Sequence, residues 1–172
     1  KNKITCKQED SSILKQDRSQ NGKTGSLALK YFQTIKLYSI MSITLKKAKE
    51  IIAAAEKKAA EIGQPMNIAV VDAGGNLVAH VRMDGAWLGS IDISIKKAFT
   101  SRAFDITTKD LGENAQPGQQ FYGIHASNDG KIMIFAGGIP LKKDGKVVGA
   151  IGVSGGSGVQ DHSVAEAGAA AF

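Results

Sequence analysis

The chain has 172 residues, a formal net charge of +6, a pI near 9.4, 42% hydrophobic residues and a single cysteine. This length suits one domain with an appendage, and a core that needs no disulfide staples. One cysteine excludes an intrachain disulfide and a thiolate metal cluster, and fits a reducing compartment.

The charge is unevenly distributed. Residues 1–40 carry eight basic and three acidic groups (8 − 3 = +5), whereas the remaining 132 residues carry 14 and 13 (+1). A nucleic-acid footprint needs clustered Lys and Arg on the folded part, so the near-neutral body argues against one. The first 40 residues are polar and aperiodic until a mildly apolar stretch from Leu27 to Ile40, which Lys30 and Lys36 interrupt. A signal peptide requires an unbroken apolar centre, and a transit peptide should be acid-poor. We therefore expect residues 1–40 to be a non-core extension (a tag, upstream read-through or a disordered arm) and residues 41–172 to form the domain. The apolar runs fall well short of the ~20 residues of a spanning helix, so no membrane partner is expected. A cytoplasmic location is expected, with an extracellular one as the alternative.

From Ser42 the pattern is regular. Leu45, Ala48, Ile52, Ala55, Ala59 and Ile62 form one apolar stripe at helical spacing, and Gly63 and Pro65 end the helix. Met66 to Val71 reads as a strand, turned by Asp72-Ala73-Gly74-Gly75-Asn76 into a second strand. In that strand Leu77, Ala79, Val81 and Met83 share a buried face, leaving His80 and Arg82 on the more polar side. A second helix is predicted over Ser90–Phe104, with Ile91, Ile95, Ala98, Phe99 and Arg102 on one face and Lys96, Lys97 and Ser101 around it. Asp110–Gly118 reads as a loop and Phe121–Ala126 as a short strand carrying His125. The apolar runs Ile132–Ala136 and Val147–Val153, separated by Lys142-Lys143-Asp144-Gly145-Lys146, predict a hairpin. A glycine loop, Ser154 to Gly158, then leads into an Ala-rich helix beginning near Val159 or Gln160. Strands joined by short turns pair antiparallel, so the expected fold is α+β, with a five-stranded antiparallel sheet flanked by helices in the order α-β-β-α-β-β-β-α.

The motifs exclude more than they assign. Gly155-Gly156-Ser157-Gly158 lacks the third glycine of a dinucleotide fingerprint, and no P-loop occurs, so no nucleotide cofactor is expected. The loop is either a tight strand-to-helix corner or, with Asp161 in the first helical turn, an anion site at a helix N-terminus. Gly137 and Gly138 mark a bulge or a close backbone approach to a ligand, a helix or a neighbouring subunit. His80, His125 and His162 do not have linear zinc spacing. Arg82 with Asp84 either clamps a small oxygenated ligand or forms an ion pair. No nucleophile-base pair is marked by spacing, so whether the protein is an enzyme stays open. The small-sided last helix suits close packing against its own sheet or a second subunit.

Three blocks in order, NIAVVDAGGNLVAHVRMDGA (67–86), IKKAFTSRAF (95–104) and GGIPLKKDGKVVGAIGVSGGSGVQDHSVAEAGAAA (137–171), resemble the GlcG/HbpS-like family. That domain also forms the C-terminal part of PduO-type cobalamin adenosyltransferases. The resemblance spans Ser42 to Phe172 and implies a profilin-like fold and homo-oligomers. It also implies haem or a related tetrapyrrole as ligand, in haem handling or redox sensing, or else an accessory role toward a small hydroxylated metabolite such as glycolate, a diol or glycerol. A purely structural assembly module is a third reading. With no cysteine in the body, a haem ligand would be His, Met, Tyr or another oxygen donor, and His80 and His125 are the candidates.

Overall fold

The computed structural model describes residues 42–172. The extension expected over residues 1–40, and Cys6 with it, lies outside the described residues.

Helix α1 (Leu45–Glu61) starts at Thr44, whose hydroxyl accepts from the Lys47 N–H, and buries Ala48, Ile51, Ile52, Ala55 and Ala59. The apolar stripe is thus as expected except for Leu45, which is 52% exposed. Strands β1 (Asn67–Asp72) and β2 (Leu77–Arg82) follow, joined by a turn in which Asp72 Oδ1 accepts from the Gly74 and Asn76 N–H groups, each at 2.9 Å. Next come α2 (Ser90–Phe104) and a short α3 (Thr108–Glu113), capped by the Thr107 hydroxyl. Strands β3 (Gly138–Lys143) and β4 (Lys146–Ser154) form the hairpin, with Asp144 and Gly145 at positive φ in its turn. Helix α4 (Gly158–Ala169) ends the fold.

The sheet is antiparallel throughout, in the order β2-β1-β4-β3. One face carries the main core, where Ile68, Val70, Ile151 and Val153 meet Ala48, Ile51 and Ala55 of α1 and Val164 and Ala165 of α4. The other face is smaller, with Ala69, Val71 and Ala150 under Ala98 of α2.

The described sheet has four strands, not the five expected. Phe121–Ala126 is not extended: Gly123 has φ +89° and Ile124–Ala126 is a 3-10 turn, followed by a second at Asn128–Gly130. Ile132–Ala136 is not the first strand of the hairpin either. The Met133 N–H is bound by Thr100 Oγ1 at 2.9 Å, and the same hydroxyl reaches the Lys131 carbonyl at 3.3 Å. These backbone groups are held by a side chain of α2 rather than by a neighbouring strand, although Ile132 is buried. The strand begins six residues later than expected, at Gly138. Asp110–Gly118 is helical over its first part, within α3.

Helix α2 departs most from the apolar-periodic reading. Its buried residues are Ser90, Ser94, Lys97, Ala98, Thr100 and Ser101, while Ile91, Ile95 and Phe99 are half-buried. The cause is a close approach: a Cβ on Gly152 of β4 would lie 2.1 Å from the Ser94 carbonyl oxygen and 2.4 Å from the Ala98 nitrogen. A helix whose backbone rests on the sheet can turn only small side chains inward. Gly168 does the same for α4, where a Cβ would meet Ile151 Cδ1 at 2.4 Å and Ala55 Cβ at 3.2 Å. One side of the small-sided last helix is therefore occupied by its own sheet and α1.

Lys97 is the largest fully buried side chain, and its ammonium lies 2.6 Å from Asp161 Oδ2 of α4 and 2.9 Å from the Val153 carbonyl. The pair links a helix on one face of the sheet to a helix on the other, past the first residues of β3. Burial pushes the Lys97 ammonium down and the Asp161 carboxyl up, and the charge of each opposes the shift of the other.

Gly152→Ala should lower stability by about 1–3 kcal/mol, because its Cβ meets helix backbone rather than a movable side chain. Lys97→Met should remove about 3–5 kcal/mol by leaving a buried carboxylate alone, and Lys97→Met with Asp161→Leu should recover much of that loss. Denaturant midpoints of the three variants check both expectations; additive losses in the double variant would contradict the second.

Candidate functional site

The β4–α4 corner is built from the residues that the sequence singled out. Ser157 caps α4 in a reciprocal capping box: Gln160 Oε1 accepts from the Ser157 N–H at 2.9 Å and Ser157 Oγ from the Gln160 N–H at 3.3 Å. Asp161 Oδ1 accepts from the Gly156 N–H at 2.9 Å, and the Gly155 N–H also bonds this carboxylate. Gln64 Nε2 donates to the Gly155 carbonyl at 2.8 Å. The anion held by this loop is therefore the chain's own Asp161 carboxylate, and of the two readings the tight corner prevails.

Gly137 belongs to the same corner. A Cβ there would lie 2.6 Å from the Val153 carbonyl oxygen, 2.9 Å from Asp161 Cβ and 3.1 Å from Lys97 Nζ. At Gly138 it would meet Thr108 Cγ2 at 2.5 Å and the Lys97 carbonyl at 2.6 Å, and the Gly138 N–H is bound by Thr108 Oγ1 at 2.8 Å. The close approach expected at these glycines is thus to α2, α3 and the ion pair.

Just outside this corner, His162, Lys109, Ala136, Ser157, Val159 and Glu166 line an open cleft of about 440 Å³. His162 Nε2 lies 3.4 Å from Glu166 Oε1, while its Nδ1 is shut off from solvent without a hydrogen-bond partner. Imidazole, amine and hydroxyl donors here border an apolar wall, and Val159 is 81% exposed.

The remaining candidates lie elsewhere. His80 and Arg82 are on β2, the edge strand opposite β3, and Asp84 follows that strand. Arg82 does not pair with Asp84; its Nε donates to the Ala86 carbonyl at 3.0 Å. Neither residue lines the cleft beside His162. His80 sits opposite Ala69 on the α2 side of the sheet, with its Nε2 enclosed and unpartnered, and burial lowers its pKa. His125 is exposed on the first 3-10 turn. No group of three or more His, Cys, Asp or Glu side chains suited to a metal ion occurs among the described residues. No helix among them is long and apolar enough to cross a membrane.

Sequence reasoning missed Lys97, Thr108, Lys109 and Gln160. The Ser157-x-x-Gln160 spacing was a readable signal for the capping box. So was the recurrence of Ser90, Ser94, Lys97 and Ser101 along one side of α2, a stripe of small residues interrupted by one lysine.

The lowered pKa of His80 has a definite sign. Neutral imidazole is favoured in the folded state, so its contribution is complete above the unfolded value of about 6.5 and is lost as pH falls from there through the folded value. Wild type should lose more stability than His80→Gln between pH ~7.5 and ~5.5, measured by denaturant midpoints; parallel pH profiles would contradict the burial of this ring.

The chain is 44% identical over 131 residues to an uncharacterized 15.0 kDa protein of the dhaT-dhaS intergenic region of Citrobacter freundii, covering 76% of this chain and 92% of that protein. The solved PduOC–haem complex is 34% identical, with a TM-score of 0.73, covering 76% of this chain and 94% of that one. A double mutant of HbpS from Streptomyces reticuli is 33% identical, with a TM-score of 0.67, over 74% of this chain and 85% of that one. The family model for haem degrading protein HbpS-like matches residues 43–170, nearly all of the described body, and the chain belongs to this HbpS-like family.

Proposed function

We propose that this protein binds haem or a related tetrapyrrole and that the cleft beside His162 is the seat. The observation that carries the reading is the donor set of that cleft: the His162 imidazole, an apolar wall at Ala136 and Val159, and the Lys109 ammonium. These residues fit the group chemically. His162 would supply a nitrogen ligand to iron, Lys109 a cation for a propionate, and Ala136 with Val159 apolar contact for the macrocycle. Residues 41–172 contain no cysteine, so this part of the chain supplies no thiolate ligand. The likeness to the PduOC–haem complex over three quarters of the chain supports the same reading.

His162 displaces His80 and His125 as the preferred ligand. Neither His125 nor His80 lines this cleft, and the Nε2 of His80 is enclosed. At about 440 Å³ the cleft is near the lower end of the roughly 300–1,000 Å³ typical of ligand pockets, so a tetrapyrrole seated there keeps much of its face outward. A second copy covering that face would complete the site and gives a homo-oligomer a function.

Haem titrated into the full chain should give a saturable Soret shift, weakened by about tenfold or more in His162→Ala, a loss of at least ~1.4 kcal/mol, and retained in His80→Ala and His125→Ala. No saturable shift would overturn haem binding. A shift lost in His80→Ala but kept in His162→Ala would move the seat to β2.

A further inference from the structure

We infer that the groove between the β1–β2 turn and the outer side of α2 is a separate binding site for a small carboxylate with a flat apolar body. Two adjoining clefts of about 320 and 200 Å³ share Gly74, Gly75 and Phe99 as walls, one on the Lys131 side and one on the Arg102 side. The groove stays open on the turn side because position 75 has no side chain. A Cβ on Gly75 would lie 3.2 Å from the ring, and φ of +76° there disfavours any other residue.

The apolar part of the groove is Phe99 with Ile95, both half-buried although they belong to α2. The charged part is basic. Lys131 Nζ stands 6.0 Å above the Phe99 ring centroid and makes no ion pair among the described residues. At the other end, Arg102 gives Nη1 to Asp105 at 2.6 Å and leaves its Nε, shielded from solvent, without an acceptor.

The nearby carboxylates are already engaged. Asp92 is tied to Lys96 at 2.8 Å, and Asp72 Oδ1 accepts the donors of the turn. The unmet demand in this groove is therefore for acceptors beside an aromatic face. A flat acid meets it by placing its ring against Phe99 and its carboxylate toward Lys131 or Arg102. A bare inorganic anion leaves the ring unused, and a neutral aromatic leaves the cation unpaired. The site shares none of its lining with the His162 cleft, so the two assignments stand or fall separately.

Benzoate added to the full chain, followed by amide NMR, tests this directly, with benzamide, acetate and phenyl phosphate as comparisons. Benzoate should cause saturable shifts at Gly74, Gly75 and Lys131. Benzamide and acetate should bind about tenfold more weakly, and Lys131→Gln should weaken benzoate by a similar factor. Lys131 is exposed, so its replacement should leave the thermal melting curve unchanged; Phe99→Leu is a second variant, expected to bring benzoate to the level of acetate. Equal binding of benzoate and benzamide, unchanged affinity in Lys131→Gln, or shifts confined to residues outside the groove would overturn the site. Phenyl phosphate binding more tightly than benzoate would overturn the carboxylate assignment in favour of a phosphate ester.

Discussion

The fold turns on one buried ion pair. Lys97 and Asp161 lie on helices that cover opposite faces of the sheet, and their side chains are 1% and 5% exposed. Such a pair contributes little net stability compared with well-packed apolar side chains, because the desolvation of two charges offsets most of their attraction. Its value is positional. The ammonium also holds the Val153 carbonyl at the end of β4, and the carboxylate also holds the amides of Gly155 and Gly156. Five elements of the corner are thereby fixed relative to one another: α2, β3 through Gly137, β4, the glycine loop and α4.

That constraint explains why so much of this corner is glycine. The space a side chain would occupy at Gly137 already belongs to Asp161, Lys97 and the Val153 carbonyl, and the space at Gly152 belongs to the backbone of α2. Close backbone packing and a buried charge pair are two aspects of one arrangement: the helix must sit low on the sheet for Lys97 to reach past its edge. The next residue after Asp161 is His162, so the pair that fixes the loop also fixes the side of α4 on which the cleft opens. The chain's own carboxylate occupies the loop that precedes the helix.

Much of the fold was legible in the sequence. The stripe of α1, the existence of β1 and β2, the Asp144-Gly145 turn and the antiparallel pairing all follow from local periodicity and turn chemistry, although Leu77, expected on the buried face of β2, is 49% exposed. Ile132–Ala136 was misread because an apolar run resembles a strand whether it pairs with one or is held by a hydroxyl such as that of Thr100. Lys97 was placed only beside the apolar face of its helix, because a lysine on a helix is usually exposed and nothing local announces a partner 64 residues away. For the site, Gly137, Gly138, Gly155, Gly156, Asp161 and His162 do converge at or beside one corner, whereas His80, Arg82 and Asp84 lie at the opposite sheet edge and His125 apart from both. Sequence spacing identified chemistry-bearing residues but could not group them, since their proximity depends on strand order.

Membership of the HbpS-like family and the donor set beside His162 lead to the same reading from independent directions, one from overall likeness and one from local chemistry. The most direct test is a crystal structure of the full chain grown with haem. Iron bonded to an imidazole nitrogen of His162, with a propionate near Lys109 and the Lys97–Asp161 pair intact, is the expected result. Iron bound at His80 or His125, or haem seated away from the β4–α4 corner, would contradict it.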